Sequence, residues 1–164
     1  MKKIFVYNAG PLFSEAEQNQ RKAEGINLRK QLGDNFEILN PIEFSFNSEN
    51  ATPKNNEIFK KDYEEIKRSK YVIFDIDGRD SGTYMEYGFA FEQCLQEEKY
   101  LICVYSDFRL YQSNIDVAEI SGYGINEMIS GSLQYNDISK KKIFKVKNFQ
   151  EAINKIKEIE GILK

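Results

Sequence analysis

The chain contains no histidine. Acid–base or nucleophilic work must therefore fall to carboxylates, tyrosines, lysines or cysteines. Cysteine is scarce as well: Cys94 and Cys103 are the only two, and they form no C-x-x-C pair. With histidine absent, a zinc site is not expected. Cys94 falls in a helical pattern and Cys103 in a strand pattern, and both are expected to be buried, reduced thiols. No apolar run reaches the length of a membrane span. The N-terminal Met1-Lys2-Lys3-Ile4-Phe5 leads straight into a strand pattern without the apolar core of a signal peptide. We expect a cytoplasmic protein with no membrane partner. Neither G-x-G-x-x-G nor a P-loop follows the first strand, so nothing supports a nucleotide cofactor held by a glycine-rich turn. Positive charge is not in excess: 23 Lys and Arg stand against 26 Asp and Glu, for a net charge of −3. That balance argues against nucleic acid as a partner. The one basic run, Lys140-Lys141-Lys142 with Lys145 and Lys147, reads as a solvated strand edge or loop.

What remains is an ordinary globular composition, 41% apolar and 30% charged over 164 residues, expected to form one domain over residues 1–164. Strand and helix patterns alternate along it. Lys3 to Asn8 reads as a buried strand ended by Ala9-Gly10-Pro11. Ser14 and Glu17 form a capping-box pattern before a long polar helix that Gly33 stops. Phe36 to Leu39 is a second strand. Residues 42–56, rich in Asn, Ser and Thr, read as a loop over a site. A helix is expected from about Glu57 to Ser69, a strand from Tyr71 to Asp77, a helix from Thr83 to about Glu97 and a strand from Tyr100 to Tyr105. Residues 106–135 read as irregular, with a short helix near Asn126–Ile129. Ile143–Val146 closes the strand series, and Asn148 with Glu151 starts an amphipathic helix carrying Phe149, Ile153, Ile156, Ile159 and Leu163. Such alternation predicts an α/β fold with about five parallel strands and helices on both faces.

The segment Asp80-Ser-Gly-Thr-Tyr-Met-Glu86-Tyr-Gly-Phe-Ala90 follows the third strand and opens a helix. It places two carboxylates at the sheet edge where open α/β sheets bind ligands. Glu86 has two readings. Thr83-x-x-Glu86 fits a capping box. Alternatively, a carboxylate held ionised by the field of the first helical turn is a candidate nucleophile. Asp80 reads either as a turn residue or as a cleft residue. Asp75, inside an apolar strand, reads as structural, and Asp77 as facing the cleft or a turn. Asp62 reads as part of a solvated helix face, and Tyr7 as a core-edge tyrosine able to orient a carboxylate.

Taken together, Tyr7-Asn-Ala-Gly-Pro-Leu-Phe13, the helix bearing Asp62, Asp80-Ser-Gly-Thr-x-x-Glu86-x-Gly-x-Ala90 and Ile125-Asn126-Glu-Met128 resemble the nucleoside 2-deoxyribosyltransferases over residues 3 to about 130. The resemblance implies a flavodoxin-like fold and a ping-pong exchange of 2-deoxyribose between nucleobases through a covalent deoxyribosyl-glutamate. It implies Glu86 as nucleophile, Asp62 as the acid and base toward the nucleobase, and Tyr7 as the hydroxyl holding the nucleophile. Asp80 would bind the deoxyribose, with Gly10, Gly82 and Met128 also at the substrate. Asn126 would reach the 5′-hydroxyl in a neighbouring subunit, which implies a homo-oligomer, from dimer to hexamer, with shared active sites. Its partners are a 2′-deoxynucleoside and a free nucleobase, and it implies no metal or organic cofactor. Phe13, Phe44, Phe46 and Tyr84 are candidate walls for a planar base. Some members place a C-terminal carboxylate in a neighbour's site; the terminal amphipathic helix leads us to expect that Lys164 does not. One alternative is an N-glycosidase acting on 2′-deoxynucleoside 5′-monophosphates through the same glutamate. Glu15 and Glu17 beside Ser14 disfavour its phosphate. A second alternative is a non-catalytic domain that senses a nucleobase ligand.

Overall fold

A computed structural model describes residues 3–47, 51–77, 80–108 and 125–163. Five strands form one parallel sheet: β1 (Ile4–Ala9), β2 (Phe36–Leu39), β3 (Tyr71–Asp75), β4 (Tyr100–Val104) and β5 (Ile143–Val146), in the order β2-β1-β3-β4-β5. The helices are α1 (Glu15–Leu32), α2 (Asn55–Arg68), α3 (Ser81–Gln96), α4 (Glu127–Ser132), α5 (Asp137–Lys142) and α6 (Phe149–Ile159). Among the described residues, no helix is long and apolar enough to cross a membrane.

Strand alternation divides the core in two. Val6, Tyr71, Ile73, Ile102 and Val104 face α1 and α6, where Leu28, Ile153 and Ile156 meet them. Tyr7, Ala9, Val72, Phe74, Leu101 and Cys103 face the other way, onto Ile66 of α2 and onto Tyr87, Ala90 and Cys94 of α3. Every central strand is thus apolar on both faces, as a sheet covered by helices on both sides requires. Both cysteines are buried free thiols, one in α3 and one in β4.

Helix boundaries follow local chemistry. Ser14 caps α1, and Glu17 completes the box by accepting from the Ser14 N–H. Gly33 takes a positive φ of 77° at the other end, a conformation that favours glycine. The α2 helix begins two residues earlier than its sequence pattern suggests, at Asn55. Residues 42–56 are not a plain loop: 3₁₀ turns occupy Pro41–Glu43 and Ser45–Asn47. The β3 and β4 strands end at Asp75 and Val104, short of the expected Asp77 and Tyr105. Asn126 caps α4, which extends to Ser132. The α5 helix was not expected. Its last turn holds Lys140, Lys141 and Lys142, a good place for cations. Lys142 donates to the carbonyls of Cys94 and Glu97 and so closes the end of α3. That overturns the reading of a strand edge or loop for Lys140–Lys142, whereas Lys145 lies exposed on the edge strand β5 and Lys147 just beyond it, as read. The final helix stops at Ile159, leaving Leu163 outside it. Most of the 107–123 segment, and Lys164, lie outside the described residues.

At the opposite sheet edge, the buried Lys99 ammonium donates to the carbonyls of Ile66 (2.7 Å) and Ser69 at the end of α2. It thereby supplies donors that a helix C-terminus lacks. Because these carbonyls are buried, Lys99→Met is expected to cost about 1–3 kcal/mol. The measurement is urea unfolding, with a lower midpoint at an unchanged slope.

Candidate active site

In this strand order the chain leaves β1 toward β2 and leaves β3 in the other direction. The two connections diverge, and a crevice opens at the carboxyl ends of β1 and β3. A cleft of about 220 Å³ lies there. Gly10, Leu12 and Phe13 wall it after β1, and Pro41 and Asn47 after β2. Ile58 and Asp62 reach it from α2, and Asp80, Gly82, Thr83 and Glu86 from the start of α3.

Three polar side chains converge in this region. Tyr7 is fully buried on the β1 face that meets α2 and α3, and its hydroxyl donates to Glu86 Oε1 at 2.7 Å. Asp62 lies near enough to interact electrostatically with both groups. Its Oδ1 is buried without a hydrogen-bond partner among the described residues. Asp62 therefore does not belong to a solvated helix face: it is on the side of α2 turned toward α3.

Asp80, not Thr83, caps α3. Its Oδ2 accepts from the Thr83 N–H at 2.7 Å and from the Thr83 hydroxyl at 2.8 Å. The capping-box reading of Thr83-x-x-Glu86 is thereby overturned. The helix starts two residues earlier, at Ser81, which carries Glu86 into the second turn. There the field of the helix terminus no longer governs the carboxyl, because that field fades within the first turn. Burial dominates instead. It pushes Glu86 up to about 8, with Asp62 and Asp80 adding to the rise and the Tyr7 hydroxyl opposing it. Burial also raises Asp62, to about 6, again opposed by Tyr7. The reading of Glu86 as a carboxylate held ionised by the first helical turn is thus corrected: both carboxyls are raised, and Glu86 the further. Desolvation and its two acidic neighbours hold the Tyr7 phenol protonated far above its usual range. Interacting acids lose protons as a pair, so near neutral pH this pair holds about one proton between its two carboxyls.

The other candidates separate clearly. Gly10 and Gly82 line the cleft. Asn126 and Met128 do not line the cleft of their own chain. Asn126 is exposed at the start of α4, and Met128 is 85% exposed. Of the four aromatic candidates only Phe13 lines the cleft, and it is 77% exposed. Phe44 and Phe46 pack edge to face on one another, and the Tyr84 hydroxyl donates to the Ile76 carbonyl. Asp77 serves a turn, accepting from the Ser106 N–H and hydroxyl and from the Asp107 N–H. Asp75 pairs with Arg21 at 2.8 Å on the opposite face of the sheet. Among the described residues, no group of three or more His, Cys, Asp or Glu side chains is placed to hold a metal ion.

Sequence reasoning missed Leu12, Pro41, Ile58 and Thr83 as cleft walls, and Arg21 altogether. Leu12 was readable, since it lies inside the motif that follows β1. Asn47 lies within the 42–56 segment that reads as a loop over a site, whereas Arg21 carried no local signal.

Comparison with known proteins bears on the family and the fold. Residues 6–154 match the family model described as nucleoside 2-deoxyribosyltransferase. An uncharacterized protein of Ureaplasma parvum serovar 3 is 33% identical over 124 residues, covering 71% of this chain and 78% of that protein. Three solved structures share the fold. A conserved protein from Enterococcus faecalis V583 has a TM-score of 0.71 at 20% identity, covering 96% of this chain and 99% of its own. A 2-deoxyribosyltransferase from Leishmania mexicana has a TM-score of 0.58 at 19% identity, covering 94% and 97%. The CMP N-glycosidase BcmB of Clostridium botulinum has a TM-score of 0.56 at 17% identity, covering 94% and 98%. With the match running through the strand that bears Tyr7 and the helices that bear Asp62 and Glu86, the chain belongs to the nucleoside 2-deoxyribosyltransferase family.

Proposed function

We propose that this chain, acting as one domain, moves 2-deoxyribose from one nucleobase to another. The contact between Tyr7 and Glu86 on the cleft, with Asp62 beside it, carries the reading. An ionised Glu86 attacks C1′ of a 2′-deoxynucleoside while the bond from C1′ to the base nitrogen breaks. Asp62 gives its proton to the departing base. A second base enters, loses a proton to Asp62 and displaces Glu86, which leaves as carboxylate. The intermediate stages resemble those of retaining glycosidases, with positive charge developing on the sugar. The Tyr7 hydroxyl favours the ionised glutamate and fixes its direction. Asp80 and Gly82 face the sugar, Gly10 lies across from them, and the exposed Phe13 offers a ring to a planar base. No cofactor enters this scheme.

The α1 N-terminus favours an uncharged nucleoside over a 5′-monophosphate. Helix N-termini are ready anion sites, but here Glu17 Oε2 already accepts from the N–H groups of Phe13 (3.0 Å) and Ser14 (2.7 Å). A phosphate would meet a carboxylate. The exposure of Asn126 and Met128 away from their own cleft is consistent with their supply to a neighbour's site in a homo-oligomer. We place the reaction in cytoplasmic nucleoside salvage.

Incubating deoxyinosine with adenine is expected to yield deoxyadenosine only when adenine is present, with little free deoxyribose. Glu86→Ala should lower kcat by at least about 10³-fold. Free deoxyribose released at the same rate with or without adenine would replace this reading with hydrolysis. Unaltered ligand binding by Glu86→Ala, together with no turnover by the wild type, would replace it with a binding role.

The reaction needs one proton on the pair, located on Asp62; because Glu86 is raised the further, this is the less populated of the two singly protonated forms. kcat/KM is therefore expected to be bell-shaped, with limbs near the two apparent values of about 6 and about 8. A profile flat from pH 5 to 9 would exclude the pair as acid and nucleophile.

The same burial sets a stability test. An unfolded Glu86 loses its proton near 4.5, whereas the folded one keeps it to about 8. Between those values the folded state binds more protons, so stability falls as pH rises through the window. Glu86→Gln removes this loss. It should raise Tm by a few degrees relative to wild type at pH 8.5, and the gain should shrink toward pH 5.

A further inference from the structure

The face of the sheet opposite Tyr7 holds a second polar cluster that the proposed chemistry does not use. Arg21 of α1 is only 2% exposed. Its Nη2 donates to Glu24 Oε1 (3.0 Å) and to Asp75 Oδ2 (2.8 Å), and its Nη1 to the Ala9 carbonyl (3.3 Å). Asn8, fully buried on β1, donates to Glu24 Oε2 (3.0 Å) and to Asn40 Oδ1 (3.3 Å). Asn40 in turn donates to the Arg21 carbonyl (2.9 Å) and to Glu43 (3.2 Å). One continuous network thus joins the ends of β1, β2 and β3, the three strands whose following segments wall the cleft.

Two features set this cluster apart from a device for stability. First, it is incompletely satisfied: Arg21 Nε and Asn8 Oδ1 are buried without partners among the described residues. Buried ion clusters of this kind are commonly no more stable than apolar replacements, and unsatisfied atoms make them less so. Second, the guanidinium lies directly behind the cleft wall. A Cβ on Gly10 would stand 2.0 Å from Arg21 Nη1, so the glycine admits the charged group against the backbone that faces the substrate. On the far side, Asp75 is the last residue of β3, five positions before Asp80, which starts the helix bearing Glu86.

We propose that Arg21 is a positioning residue for the cleft: through Ala9, Gly10 and Asp75 it sets the separation of the β1 and β3 ends, and so the placement of Tyr7 against Glu86. Glu24 and Asn8 hold the guanidinium in its pose. Asn40 and Glu43 extend the same control to the Pro41–Asn47 wall. A lysine cannot make these bonds together, because the ammonium lacks the planar fork that reaches two carboxylates and a carbonyl at once.

The proposal rests on the deoxyribosyl-transfer reading for its kinetic test but not for its spectroscopic one. In exchange between deoxyinosine and adenine, Arg21→Met should lower kcat by about 10²-fold, the scale of a misplacement of about 1 Å. KM should stay within about threefold, and Arg21→Lys should recover part of the loss. In carbon-13 carboxyl NMR, the titrations of Glu86 and Asp62 should move in Arg21→Met, although neither residue touches Arg21. Should Arg21→Met fail to fold, Asp75→Asn carries the same readouts, since it weakens the tie to β3 and leaves the Glu24 pair in place. Folded variants with wild-type kcat and unmoved titrations would overturn the proposal. If the wild type neither exchanges nor releases bases, the transfer reading fails. The carboxyl titrations then decide alone, an unmoved pair overturning the positioning role and a shifted pair upholding it.

Discussion

A tyrosine hydroxyl on the sheet and a glutamate on a helix meet at 2.7 Å, and that meeting constrains much of the molecule. Tyr7 can present its hydroxyl there only if β1 is central, with strands on both sides. The strand must also turn Tyr7 toward α2 and α3 instead of α1. Glu86 can receive the hydroxyl only if α3 begins at Ser81, which the Asp80 cap ensures. Shifting that start by one residue would turn the carboxylate by about 100° around the helix axis. Strand order, strand register and helix start are therefore all referred to one hydrogen bond.

Its surroundings explain why the carboxyls behave as they do. Packing Glu86 and Asp62 between two helices and a sheet removes water that would stabilise their charges. A single hydroxyl does not replace that water. The outcome is a pair of acids raised together, Glu86 the further, so that an ionised Glu86 beside a protonated Asp62 is the less populated arrangement of the singly protonated pair. The protein carries this arrangement as strain against its own stability, a common property of sites shaped for reaction.

The sheet was legible because its strands are apolar on both faces and are punctuated by Gly10-Pro11, Asn40-Pro41 and the Asp80 turn. Glu86 and Tyr7 were legible as a motif. Their partner Asp62 was not legible from spacing, since Lys60, Lys61, Glu64 and Glu65 surround it and only packing shows which face is inward. The start of α3 was misread for a related reason: Thr83 and Glu86 satisfy a capping pattern, and Asp80 satisfies another three residues earlier. Tertiary contacts decide between them, as Glu86 turns to Tyr7. Arg21 and Glu24 looked like solvated residues of a polar helix, and no local rule marks a charged residue for burial. The α5 helix was hidden by its lysines, whose part in ending α3 depends on residues some 45 positions away.

Asp80 carries a further consequence. One carboxylate both begins the helix that bears Glu86 and faces the cleft. A sugar hydroxyl that bonded to this side chain would draw on the same oxygen lone pairs that hold the first turn of α3. Occupancy of the cleft and order of the helix start are then not independent quantities: the molecule has a mechanical link, one residue long, between what it holds and how firmly it aims.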